Sequence, residues 1–309
     1  MSREAGASTR TDATVLPGSR AADPRASRAL AFAVLLLGGI AIAFSPIFVR
    51  LAEVGPMASA FWRVALAAPF LIAWSLWDRR PSAPGASSTA PIALAGLCFA
   101  CDLAFWHLSI VYTSVANATL LSNFAPIFVT LGAWLIYRQR VTRSFLLALG
   151  IAIAGAALLA GPNFSRGGSQ FTGDMLGIVT AFFYGSYLLA IWKARNTGST
   201  SRIMAISSSI TAVLLLPVAL AFEPTLLPPT LTGWLMLFGL ALICQVAGQS
   251  LIAYAMAHLP ASLSSLSLLI QPVCAAAYAW VLLGESISAT QFAGGAIVLA
   301  GIYLARRSG

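Results

Sequence analysis

Ten stretches of predominantly apolar residues, each near the roughly 20 needed for a helix to cross a bilayer, take up most of this chain. They fall at about 29–51, 58–77, 90–111, 114–137, 143–160, 174–194, 203–222, 231–254, 260–282 and 288–305. Hydrocarbon cannot satisfy a backbone N–H or C=O, so stretches of this length must bond internally, as helices. Only 9% of the residues are charged, against about 25% in a soluble domain, which leaves no sequence for a separate aqueous domain. The breaks carry helix-ending residues, among them Pro81, Pro84, Gly161, Pro162, Pro228 and Pro229. Several breaks are only a few residues long, so the helices they join must be antiparallel hairpins.

Residues 1–28 are rich in Ser, Thr, Ala and Arg and contain no aromatic residue, so they are expected to form a disordered tail. Arg25 and Arg28, followed by an apolar run and Ala41-Ile42-Ala43, have the outline of a cleaved signal peptide. The run continues through Phe44 to Val49, and an uncleaved first helix is the preferred reading.

The net charge of +9 does not point to nucleic acid, because the cations form neither a basic helix face nor a binding motif. They sort by side instead. With ten spans, one side carries Arg3, Arg10, Arg20, Arg25, Arg28, Arg79, Arg80, Arg138, Arg140, Arg143, Lys193, Arg195, Arg202, Arg306 and Arg307, and the other only Arg50 and Arg166. Fifteen against two is the asymmetry of a multi-pass protein of a cell (inner) membrane with both termini in the cytoplasm, its cations also suited to anionic membrane lipid.

The chain also repeats. Shifted by 146 residues, Pro126 falls on Pro272, Ala133-Trp134 on Ala279-Trp280, Ile151 on Ile297 and Ala154-Gly155 on Ala300-Gly301. Pro69 and Pro217 match more loosely. The unit is five helices, and an odd unit inserts its second copy upside down. The expected fold is therefore an all-α membrane protein of ten transmembrane helices in two inverted five-helix repeats, residues 29–160 and 174–307. The aligned turns agree: Arg138-Gln139-Arg140 is cationic on the cytoplasmic side, and Gly284-Glu285-Ser286 is not.

This pattern resembles the drug/metabolite transporter superfamily and, within it, the EamA-type transporters. The resemblance covers about residues 30–305 and rests on Phe61-Trp62-Arg63, the Ala116–Pro126 stretch, and Ser262–Pro272 with Gly284-Glu285. It implies transport of a small-molecule substrate, amino acids or other metabolites or drugs, and is uninformative about which. The family usually has an acidic residue after helix four, where this chain has Gln139, so that position cannot be essential in this copy.

Ionisable groups within spans are costly and seldom idle. Arg63 lies about five residues into helix two, and Asp102 near the middle of helix three. Trp106 is one turn beyond Asp102 on the same face. Asp102 is read either as a contact for a substrate amine or a proton-coupling carboxyl, or as a structural partner of Arg63. Arg63 could attract a carboxylate in the outer half of a cavity, or snorkel to the lipid headgroups. His107 is expected to be a hydrogen-bonded packing histidine. Asn123, Tyr184, Gln245 and Gln271 lie at similar depth in helices four, six, eight and nine, and should point inward to a central polar cavity. Pro126 and Pro272 are expected to kink helices four and nine at that level, freeing carbonyls to line it. Gly150, Gly155, Gly294, Gly295 and Gly301 assign helices five and ten to scaffold or to a homodimer contact.

Other chemistries fit poorly. Cys98, Cys101, Cys244 and Cys274 lie in apolar runs and read as small buried hydrophobes, and neither the cysteines nor His107 has the partners of a metal site. Gly248-Gln249-Ser250 sits inside a span with no evident base, so an enzyme is disfavoured. A structural or signalling membrane protein would not need the duplicated unit. A phosphate-binding loop for ATP is absent and no cofactor is implied, so transport would draw on a substrate or ion gradient. The expected mechanism is alternating access of the two halves about a midplane site, in the export direction, with a proton-independent facilitator and drug efflux as alternatives.

Overall fold

The computed structural model describes residues 24–78, 89–113, 115–160, 168–196, 198–284 and 286–308, and every regular element within them is helical. Among the described residues nine spans are long and apolar enough to cross a membrane: α1 (Ser27–Leu51), α2 (Pro56–Trp77), α3 (Ala90–Tyr112), α4 (Ala118–Leu135), α5 (Arg143–Ala160), α6 (Phe171–Arg195), α7 (Thr200–Phe222), α8 (Leu231–Ala255) and α9 (Ala261–Leu283). They match nine of the ten expected spans to within a few residues. The tenth is also a helix, α10 (Ala289–Ser308), whose more polar composition, ending in Arg306 and Arg307, keeps it outside that set. The helix leading into α1 starts at Pro24, inside the expected tail. Residues 1–23, the connections holding Arg79, Arg80, Pro81, Pro84, Gly161, Pro162, Asn163 and Arg166, and also Glu285, lie outside the described residues.

Four spans are interrupted: α2 at the single turn residue Leu66, three residues before Pro69, and α1, α4 and α9 at two residues each. α1 stops at Ile42 and resumes at Ser45 with Pro46 in its first turn. α4 turns at Asn123 and Phe124 and resumes at Ala125 before Pro126. α9 turns at Leu268 and Leu269 and resumes at Ile270, two residues before Pro272. Proline has no N–H to give and collides with the carbonyl four residues back, so the chain ends one helix and starts another with proline in its first turn. The expected kinks at Pro126 and Pro272 are therefore full breaks, set just before each proline. Carbonyls before the α1 break accept bonds from other helices: Tyr278 Oη donates to Ile40 at 3.4 Å and Cys244 Sγ to Ala41 at 3.4 Å. Pro217, by contrast, is accommodated inside an unbroken α7. In α8 the segment Leu240–Gln249 is a π-helix, a wider turn that re-aims the side chains it carries.

The two halves are inverted copies. α2 and α7, equivalent in the repeat, run antiparallel and are tied at both ends. Asp78, at the C-cap of α2, accepts a 2.6 Å bond from Ser201 Oγ at the start of α7. Glu223, at the C-cap of α7, accepts a 2.9 Å bond from the Met57 N–H at the start of α2. Each carboxylate sits at the far helix's N-terminus, where the unpaired N–H groups and the helix dipole favour an anion. α5 and α10 are likewise antiparallel equivalents, meeting through Gly155, Gly294 and Gly301. Across the bundle, α1 packs along α8 as α3 does along α6, α2 against α8 as α7 against α3, and α4 against α9. Exchanging each helix for the one five places on maps these pairs onto one another. The turns after α4 and α9 share a backbone signature too: Arg138 and Gly284, 146 positions apart, both take positive φ (52° and 68°).

The copies are packed unequally. After its break α4 buries Ala125, Pro126, Val129, Thr130 and Ala133, largely against α6. The equivalent stretch of α9, Ile270–Leu283, has no fully buried residue.

Candidate functional site

A cavity of about 150 Å³ lies between the halves, walled by α1, α2, α3, α4, α6, α8 and α9. Six of the expected site residues line it: Arg63, Asp102, Trp106, Asn123, Tyr184 and Gln271. Pro272 is also on its wall. Pro126 instead borders a smaller space of about 20 Å³ beside Asn123, Tyr184 and Gln271, together with Leu188, Leu268 and Leu269.

Local structure accounts for the convergence. On α3, Phe99, Asp102, Leu103, Trp106 and His107 are spaced three and four residues apart, which puts them on one face. The breaks in α1, α4 and α9 deliver Ser45, Asn123 and Gln271 next to or within irregular backbone at that level. The π segment of α8 supplies two glutamines in different roles. Gln249 is on the wall and accepts a 3.2 Å bond from Tyr187 Oη. Gln245, expected on the wall, is fully buried behind Arg63 and does not reach the cavity. Its Oε1 accepts from Arg63 Nε at 3.1 Å, while its Nε2 donates to Ser208 Oγ at 3.1 Å.

Arg63 therefore points inward. It is 7% exposed, donates to Ser45 Oγ at 3.4 Å as well as to Gln245, and lies 5.6 Å from the centroid of the Phe99 ring. Snorkelling is excluded by these contacts. Asp102 is 8% exposed, and among the described residues neither a hydrogen bond nor a direct ion pair reaches its carboxylate. The structural Arg63–Asp102 pair weighed from sequence is not formed. The cavity instead presents a fixed cation and an uncommitted carboxylate from neighbouring helices. Tyr184 and Gln271 are joined across α6 and α9 by a 3.5 Å bond from Gln271 Nε2.

His107 has the expected packing bond, Nδ1 to the Leu103 carbonyl at 2.6 Å. It is also on the cavity wall, and its buried Nε2 has no partner among the described residues. Ser45, Thr119, Ser122, Thr180 and Gln249 are further polar wall residues that sequence reasoning missed. Two of them were within reach: Thr119 and Thr180 are each one helical turn from Asn123 or Tyr184. The four cysteines are all unpaired, Cys98 and Cys244 buried and Cys101 and Cys274 partly so. Among the described residues no cluster of three or more His, Cys, Asp or Glu is placed to hold a metal.

The model of the EamA-like transporter family matches this chain twice, over residues 29–161 and 171–307. The chain belongs to that family. Among its relatives, an uncharacterized transporter of Archaeoglobus fulgidus is 28% identical over 89% of this chain and 95% of its own length. The pseudopaline exporter of Pseudomonas aeruginosa is 25% identical, covering 68% of this chain and 73% of the exporter. A probable terminal-alkyne amino-acid exporter of Streptantibioticus cattleyicolor is 28% identical, covering 79% of this chain and 81% of that one. A solved crystal structure superposes with a TM-score of 0.76 at 18% identity, over 91% of this chain and 99% of the other, a likeness of fold. This EamA protein is thus a multi-pass membrane transporter of small molecules and not an enzyme.

Proposed function

We propose that this transporter exports small amino-acid-like solutes by alternating access about the central cavity. One observation carries the reading: a buried guanidinium and a buried carboxylate face the same cavity without pairing to each other. Burying either charge is costly, and a solute carrying both a carboxylate and an ammonium would compensate both at once. The cavity volume, about 150 Å³, is below the roughly 300–1,000 Å³ of drug-sized sites and suits a compact metabolite better than a drug. Export is taken from two relatives named as exporters, one of them for an amino acid.

The unequal packing of equivalent segments supports alternating access. A loosely packed α9 beside a tightly packed α4 is what one member of a pair of exchanging conformers would look like, and the other would reverse them. The cationic ends of α4, α6 and α10 support a cytoplasmic placement of both termini in a cell membrane. If copies of the chain pair through α5 and α10, they would use the outer faces of these helices, because Gly155, Gly294 and Gly301 are taken up inside the chain.

The test is flux into proteoliposomes of a labelled amino-acid and metabolite pool, with and without an imposed proton gradient. Selective accumulation driven by the gradient is expected, with its pH dependence lost in Asp102→Asn while binding remains measurable. His107→Gln removes the other ionisable side chain on that face of α3, and its flux should keep the pH dependence even if its rate changes. Selective flux that only equilibrates would leave a facilitator, and pH dependence unchanged in Asp102→Asn would remove that carboxylate from coupling.

A further inference from the structure

His107 Nε2 is a buried hydrogen-bonding atom that the fold leaves unused. The residue is 2% exposed, and Nε2 has no partner among the described residues. Such atoms are rare in folded proteins, because each forfeits the bonds it had in water. The other ring nitrogen decides what Nε2 can do. Nδ1 lies 2.6 Å from the Leu103 carbonyl, and a carbonyl can only accept, so Nδ1 carries the proton. Nε2 of the neutral ring is then a lone pair, an acceptor and not a donor. The same bond folds the ring back one helical turn to the level of residue 103, next in sequence to Asp102, while the Trp106 ring stands edge-on to it at 4.8 Å and holds its plane.

We infer that His107 is a specificity-determining residue: its Nε2 accepts a hydrogen bond from an N–H of the transported solute, next to the bond that Asp102 accepts. The inference rests on the reading of the central cavity as the substrate site and narrows the substrate class. α3 contributes two acceptors, Asp102 and His107, and α2 contributes a donor, Arg63. A solute bound this way directs its ammonium towards α3 and its carboxylate towards α2. It must carry at least two N–H bonds at that nitrogen, so primary and secondary amino acids qualify. A quaternary ammonium has no hydrogen to donate and leaves Nε2 unpaired.

The experiment compares two mixtures in proteoliposomes holding the full chain: labelled L-amino acids, and the same amino acids exhaustively N-trimethylated. In the native protein the first mixture is expected to be carried at least about tenfold faster, the effect of losing a charge-assisted hydrogen bond. His107→Leu should slow the first mixture about tenfold and shrink the gap between the two. His107→Gln, whose amide oxygen can accept, should restore part of that gap, which a purely structural role for the imidazole would not produce. Equal rates for the two mixtures in the native protein overturn the inference and leave the transport reading standing. An undiminished gap in a folded His107→Leu protein does the same. No flux of either mixture in the native protein overturns the substrate reading and this inference together.

Discussion

Arg63 keeps its charge inside the bundle because Gln245 and Ser45 accept from it, and Gln245 is held in turn by Ser208. Gln245→Leu would strand a buried guanidinium N–H and a buried hydroxyl. A loss of about 2–6 kcal/mol in stability is expected, at about 1–3 kcal/mol for each unsatisfied group, read as a drop in the melting temperature in detergent. Transport should fall with it, since Arg63 would be free to swing. Gln245→Glu keeps an acceptor for Arg63 and should retain more stability than the leucine variant. At this scale the sequence was informative in one respect and not in another. Polar or charged residues inside apolar stretches could be recognised as inward-facing, and Arg63, Asp102, Trp106, Asn123, Tyr184 and Gln271 do share one wall. Which of two glutamines reaches that wall could not be read. Regular 3.6-residue spacing puts Gln245 and Gln249 on one face, but the π turn separates them, one to the cavity and one to Arg63. The unused His107 nitrogen was equally hidden, because it depends on which carbonyl Nδ1 finds.

Among the helices, α5 and α10 approach most closely where both lack a side chain. A Cβ on Gly294 would come within 2.4 Å of the Leu159 backbone nitrogen, and one on Gly155 within 2.6 Å of that of Val298. Neither neighbour is a flexible side-chain tip, so Gly294→Ala and Gly155→Ala must push the helices apart. Each is expected to cost about 1–3 kcal/mol by thermal unfolding. Gly150 is on the same helix with nothing within 4 Å of its added Cβ, and Gly150→Ala should be neutral or stabilising by about 0.5–1 kcal/mol. Gly155, Gly294 and Gly301 were visible in the sequence as close-packing positions, but neither that their partner was the equivalent helix of the same chain nor that Gly150 packs against nothing. The span limits were legible to a few residues because apolar length is a strong signal. The breaks were legible only as prolines: the sequence does not show that Pro126 and Pro272 begin new helical segments while Pro217 rides inside one.

For the whole molecule, duplication was the most readable property. The 146-residue register recurs in the paired helices, and in the left-handed turn at Arg138 and Gly284. Only Gly284 takes that conformation without a Cβ penalty, so Arg138→Gly should raise stability by about 1 kcal/mol while removing a cation from its end of the bundle. The unequal packing of the halves was not legible, since how far a segment is buried depends on what the fold sets against it. The acid ties between α2 and α7 bear on how such a chain can be cut. Asp78 and Glu223 belong to different halves, and each serves a helix start in the other. Residues 1–160 and 168–309, made as separate polypeptides, would each present one carboxylate and one open helix start, a matched plug and socket at each end of the pair. Co-expressed, the two fragments should assemble and recover transport, while either alone should be cleared by proteolysis. Asp78→Asn with Glu223→Gln in the split pair should cut the assembled fraction several-fold and leave the uncut chain far less affected, because a covalent link makes the two pieces find each other regardless of what their ends recognise.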